Sequence, residues 1–192
     1  LVARGSIVPA GTVVEPGTVR FEAGGESWFG PFEPSPAPAE SIEELAGLLT
    51  AGGLTTHALP DARGPQWTKV VFNAATSPLA ALTGLTVGQV CTEAGLRREV
   101  DALVSEALEV CAAAGISLTR DPQESIAEAI EVAYGHKPSM LQDILAGRAS
   151  EVDVLNGGIA GEGRRVGVPT PHHDLMCALV HGLESTRVSA SA

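Results

Sequence analysis

Lys69, Asn73 and Ser77 stand four residues apart in W-T-K-V-V-F-N-A-A-T-S-P-L-A-A-L-T. On a helix that spacing puts all three side chains on one stripe. Their neighbours Trp67, Val70, Val71 and Phe72 are apolar. A cation, an amide and a hydroxyl make a poor core, but a good wall for an oxygen-rich anionic substrate. A second polar segment lies far downstream, H-K-P-S-M-L-Q-D-I-L-A-G-R-A-S-E-V-D-V-L-N-G, and contains Ser139 and Glu151. Each residue also has a plain structural use. Lys69 fits a solvated face, and Asn73 a helix–helix hydrogen bond. Ser139 with Gln142 matches a capping box. Glu151 suits the first turn of a helix, where the dipole favours an acid.

The elements that must position these residues change character once along the chain. Residues 7–32 read as short strands: Val13, Val14, Val19 and Phe21 favour β structure, and Glu15-Pro16-Gly17 and Gly24-Gly25 supply turns. The proline-rich stretch 34–38 is a stiff connector. A helix is expected from about Ser41, capped by the Ser41/Glu44 pair and ended by Gly52-Gly53, with a strand at 54–59. That makes 1–61 β-rich with one helix, too little for a complete α/β domain. From Pro65 onward the pattern is helical. Val100, Leu103, Val104, Ala107, Leu108 and Cys111 repeat at helical spacing, Gly115 closes that helix, and Asp121-Pro122 opens the next. Helices at about 139–147, 151–163 and 171–184 complete a bundle of five or six, before a polar tail. Asn156-Gly157-Gly158 reads as a helix break or a close-packing point.

Bulk composition narrows the function classes. The 192 residues are 44% hydrophobic and only 4% aromatic, so the core rests on Ala, Leu, Val and Ile. The net charge of −11 argues against a broad nucleic-acid surface. No apolar run reaches the roughly 18 residues of a membrane span, and no secretory signal opens the chain. Cys91, Cys111 and Cys177 are widely spaced and form no C-x-x-C pair, which fits buried thiols in a reducing cytoplasm. His172-His173 carries no metal reading: adjacent side chains on a helix diverge, and no Asp, Glu or His lies at i+4. The glycine pairs lack G-x-G-x-x-G spacing. Residues 1–6 are close to a protease-site tag but carry Ala3 in place of proline.

Taken jointly, the motifs say more. W-x-K-x-x-x-N-x-x-x-[N/S]-P-L-x-A, S-M-L-Q-D, R-x-[ST]-E-[VI]-D-x-[IL]-N-G and G-[IV]-x-x-P follow in order over about 60–184. In that order they resemble the ketopantoate reductase (2-dehydropantoate 2-reductase) family. Upstream, G-T-V-V-E-P-G-T-V-R-F-E-A-G-G-E looks like that family's last nucleotide-domain strands. The resemblance implies a mainly α fold, a bundle like the C-terminal domain of 6-phosphogluconate dehydrogenase, preceded by the β-rich end of an α/β Rossmann domain. It implies domains at 1–61 and 62–186 and a tail at 187–192. It also implies NADP as cofactor, bound mainly by a nucleotide domain that this chain lacks, a 2-keto acid substrate, and a cytoplasmic homodimer formed through the helical domain.

Roles carry over by the same resemblance. Lys69 matches the catalytic lysine, which polarises the keto oxygen and donates the proton. Asn73, Ser77 and Ser139 match substrate-binding positions, with Ser139 at a helix N-terminus suited to an anion. Glu151 matches the acid that orients cofactor and lysine. The family carries asparagine where this chain has Ser77 and Val87, so the substrate expected is pantoate's 2-keto precursor or a related carbonyl compound. The competing expectations are a non-catalytic helical module for dimerisation or binding, and an unrelated acidic helical bundle.

Overall fold

The computed structural model describes residues 1–188. Two compact units divide between Gln66 and Trp67, a point inside a helix.

The first unit, Leu1–Gln66, holds β1 (Ala3–Ile7), β2 (Ala10–Glu15), β3 (Thr18–Ala23), β4 (Ser27–Pro31), α1 (Ala39–Ala51) and β5 (Thr56–Ala58). β2 and β3 form an antiparallel hairpin in which Glu15 pairs with Thr18, so Pro16-Gly17 is the turn. Gly17 sits at φ +85°, a conformation that glycine adopts without steric cost. The remaining strands form a sheet in the order β1-β4-β5. β1 runs antiparallel to β4, from Ala3 opposite Pro31 to Ile7 opposite Ser27, so part of the stretch set aside as tag-like forms a paired strand. β5 runs parallel to β4, and α1 makes the crossover between them. α1 buries Ile42 and Ala46. Its last turn is tied to β5 by Thr50, whose Oγ1 accepts from the Thr56 N–H at 3.0 Å and donates to the Thr56 carbonyl at 3.2 Å.

α1 starts two residues earlier than expected. Pro38 occupies its N-cap, and the Ser41/Glu44 capping box is not formed. Proline's fixed φ and missing N–H suit a helix entrance, where that donor has no partner in any case. Gly52 and Gly53 end the helix as expected.

The second unit is helical: α2 (Arg63–Thr83), α3 (Val87–Thr92), α4 (Ala94–Ala113), α5 (Pro122–Val132), α6 (Ser139–Leu145), α7 (Val152–Val166) and α8 (Pro171–Val188). The extra helix relative to the expected bundle is α3. It is a single capping-box turn and a half, with Thr86 N–H donating to Gln89 Oε1 at 2.9 Å. Six residues are too few to show a hydrophobic period. The expected tail starts later, since α8 continues to Val188; residues 189–192 lie outside those described. The core gathers Val71, Leu103, Val110, Ile126, Met140, Leu141, Ile144, Ile159 and Val180 from six helices. Each such aliphatic contributes roughly 1.5–3 kcal/mol by leaving water. α7 is continuous through Gly157-Gly158, and its small-residue point is Gly163: a Cβ there would lie 2.7 Å from the Val168 carbonyl oxygen. The fold is mainly α, with the β-rich unit preceding the helical one in the chain.

Candidate functional site

α2 presents its three polar residues at graded depth. Lys69 is exposed, Asn73 is half-buried and Ser77 is 2% exposed. The gradient follows from helix geometry. Four residues turn about 400°, so each step rotates about 40° away from a straight stripe. Over two steps the stripe passes from solvent into the core, where Ala74, Ala75, Leu79 and Ala80 lie buried. Ser77 is therefore at the buried end of the row and not on an open wall beside Lys69. The residue before Lys69 is anchored: Thr68 Oγ1 accepts from the Thr119 N–H at 2.9 Å.

Ser139 and Glu151 meet directly. Ser139 Oγ donates to Glu151 Oε1 at 2.6 Å, joining the first turns of α6 and α7. Neither side chain caps its helix. Pro138 is the N-cap of α6, and Ser139 follows it as the first helical residue. Gln142, expected in a capping box with Ser139, instead donates to the Lys137 carbonyl at 2.8 Å. Glu151 is the N-cap of α7 by backbone alone. Both polar groups are thus left for each other or for a ligand. Val87, the other departure from the family pattern, is buried at the start of α3, and its N–H donates to the His136 carbonyl at 2.9 Å.

A second polar group was not legible as a unit in the sequence. Glu106 of α4 is 9% exposed and accepts from the backbone N–H groups of His172 at 2.9 Å and His173 at 3.2 Å. It thereby caps α8 from a neighbouring helix. His173 is fully buried, and burial, the largest influence, pulls its pKa below the ordinary histidine value. Asn156 is fully buried beside it. The available signal was an asparagine in the apolar row Val152, Leu155, Ile159, Gly163 of α7.

The cysteines are free thiols. Cys91 and Cys111 are buried, and burial pushes Cys111 up to about 11, far from a reactive thiolate. Among the described residues no group of three or more His, Cys, Asp or Glu is arranged to hold a metal, and no helix is long and apolar enough to cross a membrane.

Comparison with known proteins places this geometry. A 2-dehydropantoate 2-reductase of Mesorhizobium japonicum is 34% identical over 184 residues, covering 95% of this chain and 56% of that protein. One of Pyrococcus horikoshii is 29% identical over 94% of this chain and 60% of its own length. Among solved structures, a PanE/ApbA family ketopantoate reductase from Ralstonia eutropha JMP134 superposes with a TM-score of 0.83 at 28% identity, over 96% of this chain and 60% of that one. D-mandelate dehydrogenase in complex with NADH gives 0.81 at 26%, over 96% of this chain and 62% of that one. The chain thus spans roughly three-fifths of these relatives. The model of the family described as "Ketopantoate reductase PanE/ApbA C terminal" matches residues 61–184, which hold Lys69, Asn73, Ser139 and Glu151, and this chain belongs to that family.

Proposed function

We propose that this chain is the substrate side of an NADP-dependent reductase of 2-keto acids, acting on 2-dehydropantoate or a related carbonyl compound. The observation that carries the reading is Lys69: an exposed ammonium on a mostly buried helix, within the stretch that matches the family. In this reading Lys69 hydrogen-bonds the keto oxygen and donates a proton to it as that oxygen gains negative charge. Asn73, one turn on, supplies amide hydrogen bonds to the substrate, and Ser77 completes the row from its buried end. Ser139 binds the carboxylate end. Its hydroxyl proton is already given to Glu151, so an arriving carboxylate competes with Glu151 for it. The freed Glu151 is then the acid that, in the family pattern, orients cofactor and lysine.

The residues present do not fit a dinucleotide's pyrophosphate. That group needs a row of backbone N–H groups, typically a glycine-rich turn at a helix N-terminus. The β4–α1 connection carries Pro34, Pro36 and Pro38 and no glycine. The cavity of about 350 Å³ beside it is lined by Pro31, Ala37, Ile42, Leu59 and Pro60, with Glu43 as its charged side chain. In this reading the cofactor is held mainly by a nucleotide domain such as the family's, with Glu151 reaching it from this side. Calorimetric titration of the 192-residue chain with NADPH is expected to show no micromolar binding.

The test of the reading is Lys69→Ala in a form of the protein that includes the nucleotide-binding part. A kcat within about threefold of the parent would remove Lys69 from the chemistry. A second reading, a helical module that dimerises without catalysis, draws on the exposed Leu175 and Leu179 of α8 and Val154 of α7. It predicts a dimer whose parent protein has no reductase activity.

A further inference from the structure

We propose that Asn156 is the positioning residue of α2: its amide gives Ala74 the hydrogen-bond donor that Pro78 withholds, and His173 holds that amide in place. The proposal rests on the reading of α2 as the helix that carries Lys69 and Asn73 to a substrate.

Pro78 lies inside α2, which runs unbroken from Arg63 to Thr83. Proline has no backbone N–H, and its ring crowds the carbonyl four residues back. That carbonyl belongs to Ala74. Ala74 is fully buried, so water is a poor substitute. Asn156 Nδ2 on α7 stands 2.9 Å from the Ala74 oxygen. The orphaned acceptor is thus satisfied from another helix, 82 residues away in sequence.

The amide's orientation is fixed by its second partner. Asn156 Nδ2 lies 3.1 Å from His173 Nδ1, and His173 Nε2 lies 3.0 Å from the Leu103 carbonyl oxygen. A carbonyl can only accept, so Nε2 carries the proton and Nδ1 is the acceptor. The donors then run one way: His173 to Leu103, and Asn156 to both His173 and Ala74. Turning the amide over would set its oxygen against two acceptors. Asn156 Oδ1, by contrast, is buried with no hydrogen-bond partner. A side chain retained despite an unpaired buried oxygen is retained for its two donors.

The anchored carbonyl sits in the middle of the proposed substrate row. Ala74 directly follows Asn73, Lys69 lies five residues earlier, and Ser77 directly precedes Pro78. A shift of that turn moves Asn73 with it.

The first measurement needs no variant. Two-bond nitrogen–proton correlation of the His173 ring in the 192-residue chain is expected to show the neutral tautomer protonated at Nε2; protonation at Nδ1 alone overturns the proposal. The second is a double-mutant cycle. Asn156→Leu is expected to lower the folding equilibrium constant roughly ten- to a hundredfold. With Pro78→Ala present, the amide of residue 78 takes over Ala74, and the same change should cost at least about threefold less, since only the bond to His173 Nδ1 is then lost. Equal losses in both backgrounds overturn the proposal. Should Asn156→Leu alone not fold, recovery of folded protein on adding Pro78→Ala gives the same support, and failure to recover overturns it. In the reductase-competent protein, Asn156→Leu should lower kcat roughly ten- to a hundredfold with KM nearly unchanged, partly restored by Pro78→Ala; undiminished kcat overturns the positioning role. Undiminished kcat in Lys69→Ala is a different result, and it sinks the functional reading instead.

Discussion

Two sets of polar residues sit in one helical unit and are treated in opposite ways. Lys69, Ser139 and Glu151 lie where water or a ligand can reach them, and neither Ser139 nor Glu151 caps its helix by its side chain. Glu106, Asn156 and His173 are buried, and each spans two or more helices: Glu106 links α4 to α8, Asn156 links α7 to α2 and α8, and His173 links α8 to α4 and α7. A polar group taken out of water must find partners or it costs stability. The buried set therefore answers to the fold. The exposed set stays within reach of solvent, and in the proposed reading it answers to chemistry.

The largest expected effect breaks or confirms this division at its functional end. Lys69→Ala should lower kcat by about 10²–10⁴, the usual worth of one positioned proton donor. The same change should move the unfolding free energy by no more than about 0.5 kcal/mol, as for other surface substitutions. Steady-state kinetics and urea unfolding on one preparation test both halves. A large stability loss with little kinetic change would move Lys69 into the structural set.

Glu106→Ala probes the other side and is expected to act the opposite way. It strands two N–H groups at the start of α8, which the carboxylate now satisfies from α4. Unpaired buried donors cost roughly 1–3 kcal/mol, and the carboxylate also sits favourably at the positive end of the helix dipole. Urea unfolding should register that loss. A change under about 0.5 kcal/mol would show that the α8 entrance is solvated on its own, and the buried set would lose one of its three members.

Much of this arrangement was legible in the sequence, and the parts that were not share a cause. Long periodic stretches such as 100–111 declared α4 without help, because many residues vote for one face. The β2–β3 turn at Pro16-Gly17 was legible for a local reason, the backbone demands of those two residues. The short helix α3 was missed because one capping-box turn carries no period. Ser41 and Ser139 have the sequence context of caps, yet each helix takes the proline before it as its entrance: Pro38, three residues before Ser41, for α1, and Pro138, one residue before Ser139, for α6. The candidate residues themselves were found by motif order. Their depth was not, since the 40° drift that buries Ser77 needs the whole helix and its neighbours. The Asn156–His173–Glu106 set was invisible because its contacts join residues 17 to 82 positions apart.

The smallest expected effect distinguishes two neighbours. His172 and His173 adjoin in sequence, yet one faces Glu99 and the other the core. The hydrogen bond from His172 Nδ1 to Glu99 Oε1, at 2.5 Å, raises the pKa of His172, and burial lowers that of His173. Unfolded, both titrate near 6.5. For His173 the folded form resists the proton, so its stabilising share is intact above about pH 6.5. That share is lost as pH falls from there through its lowered folded value. For His172 the folded form prefers the proton, so its share is intact below about pH 6.5. That share is lost as pH rises through its raised folded value. Because the His172–Glu99 pair is partly solvated, its limb is shallow and weakens with salt. Proton NMR titration of the two rings is expected to place His172 above 6.5 and His173 below it. His172→Asn should flatten the alkaline limb of stability against pH and leave the acid limb in place. His173 titrating above 6.5 would mean that its ring reaches water, and Asn156 would lose the neutral acceptor that the buried set depends on.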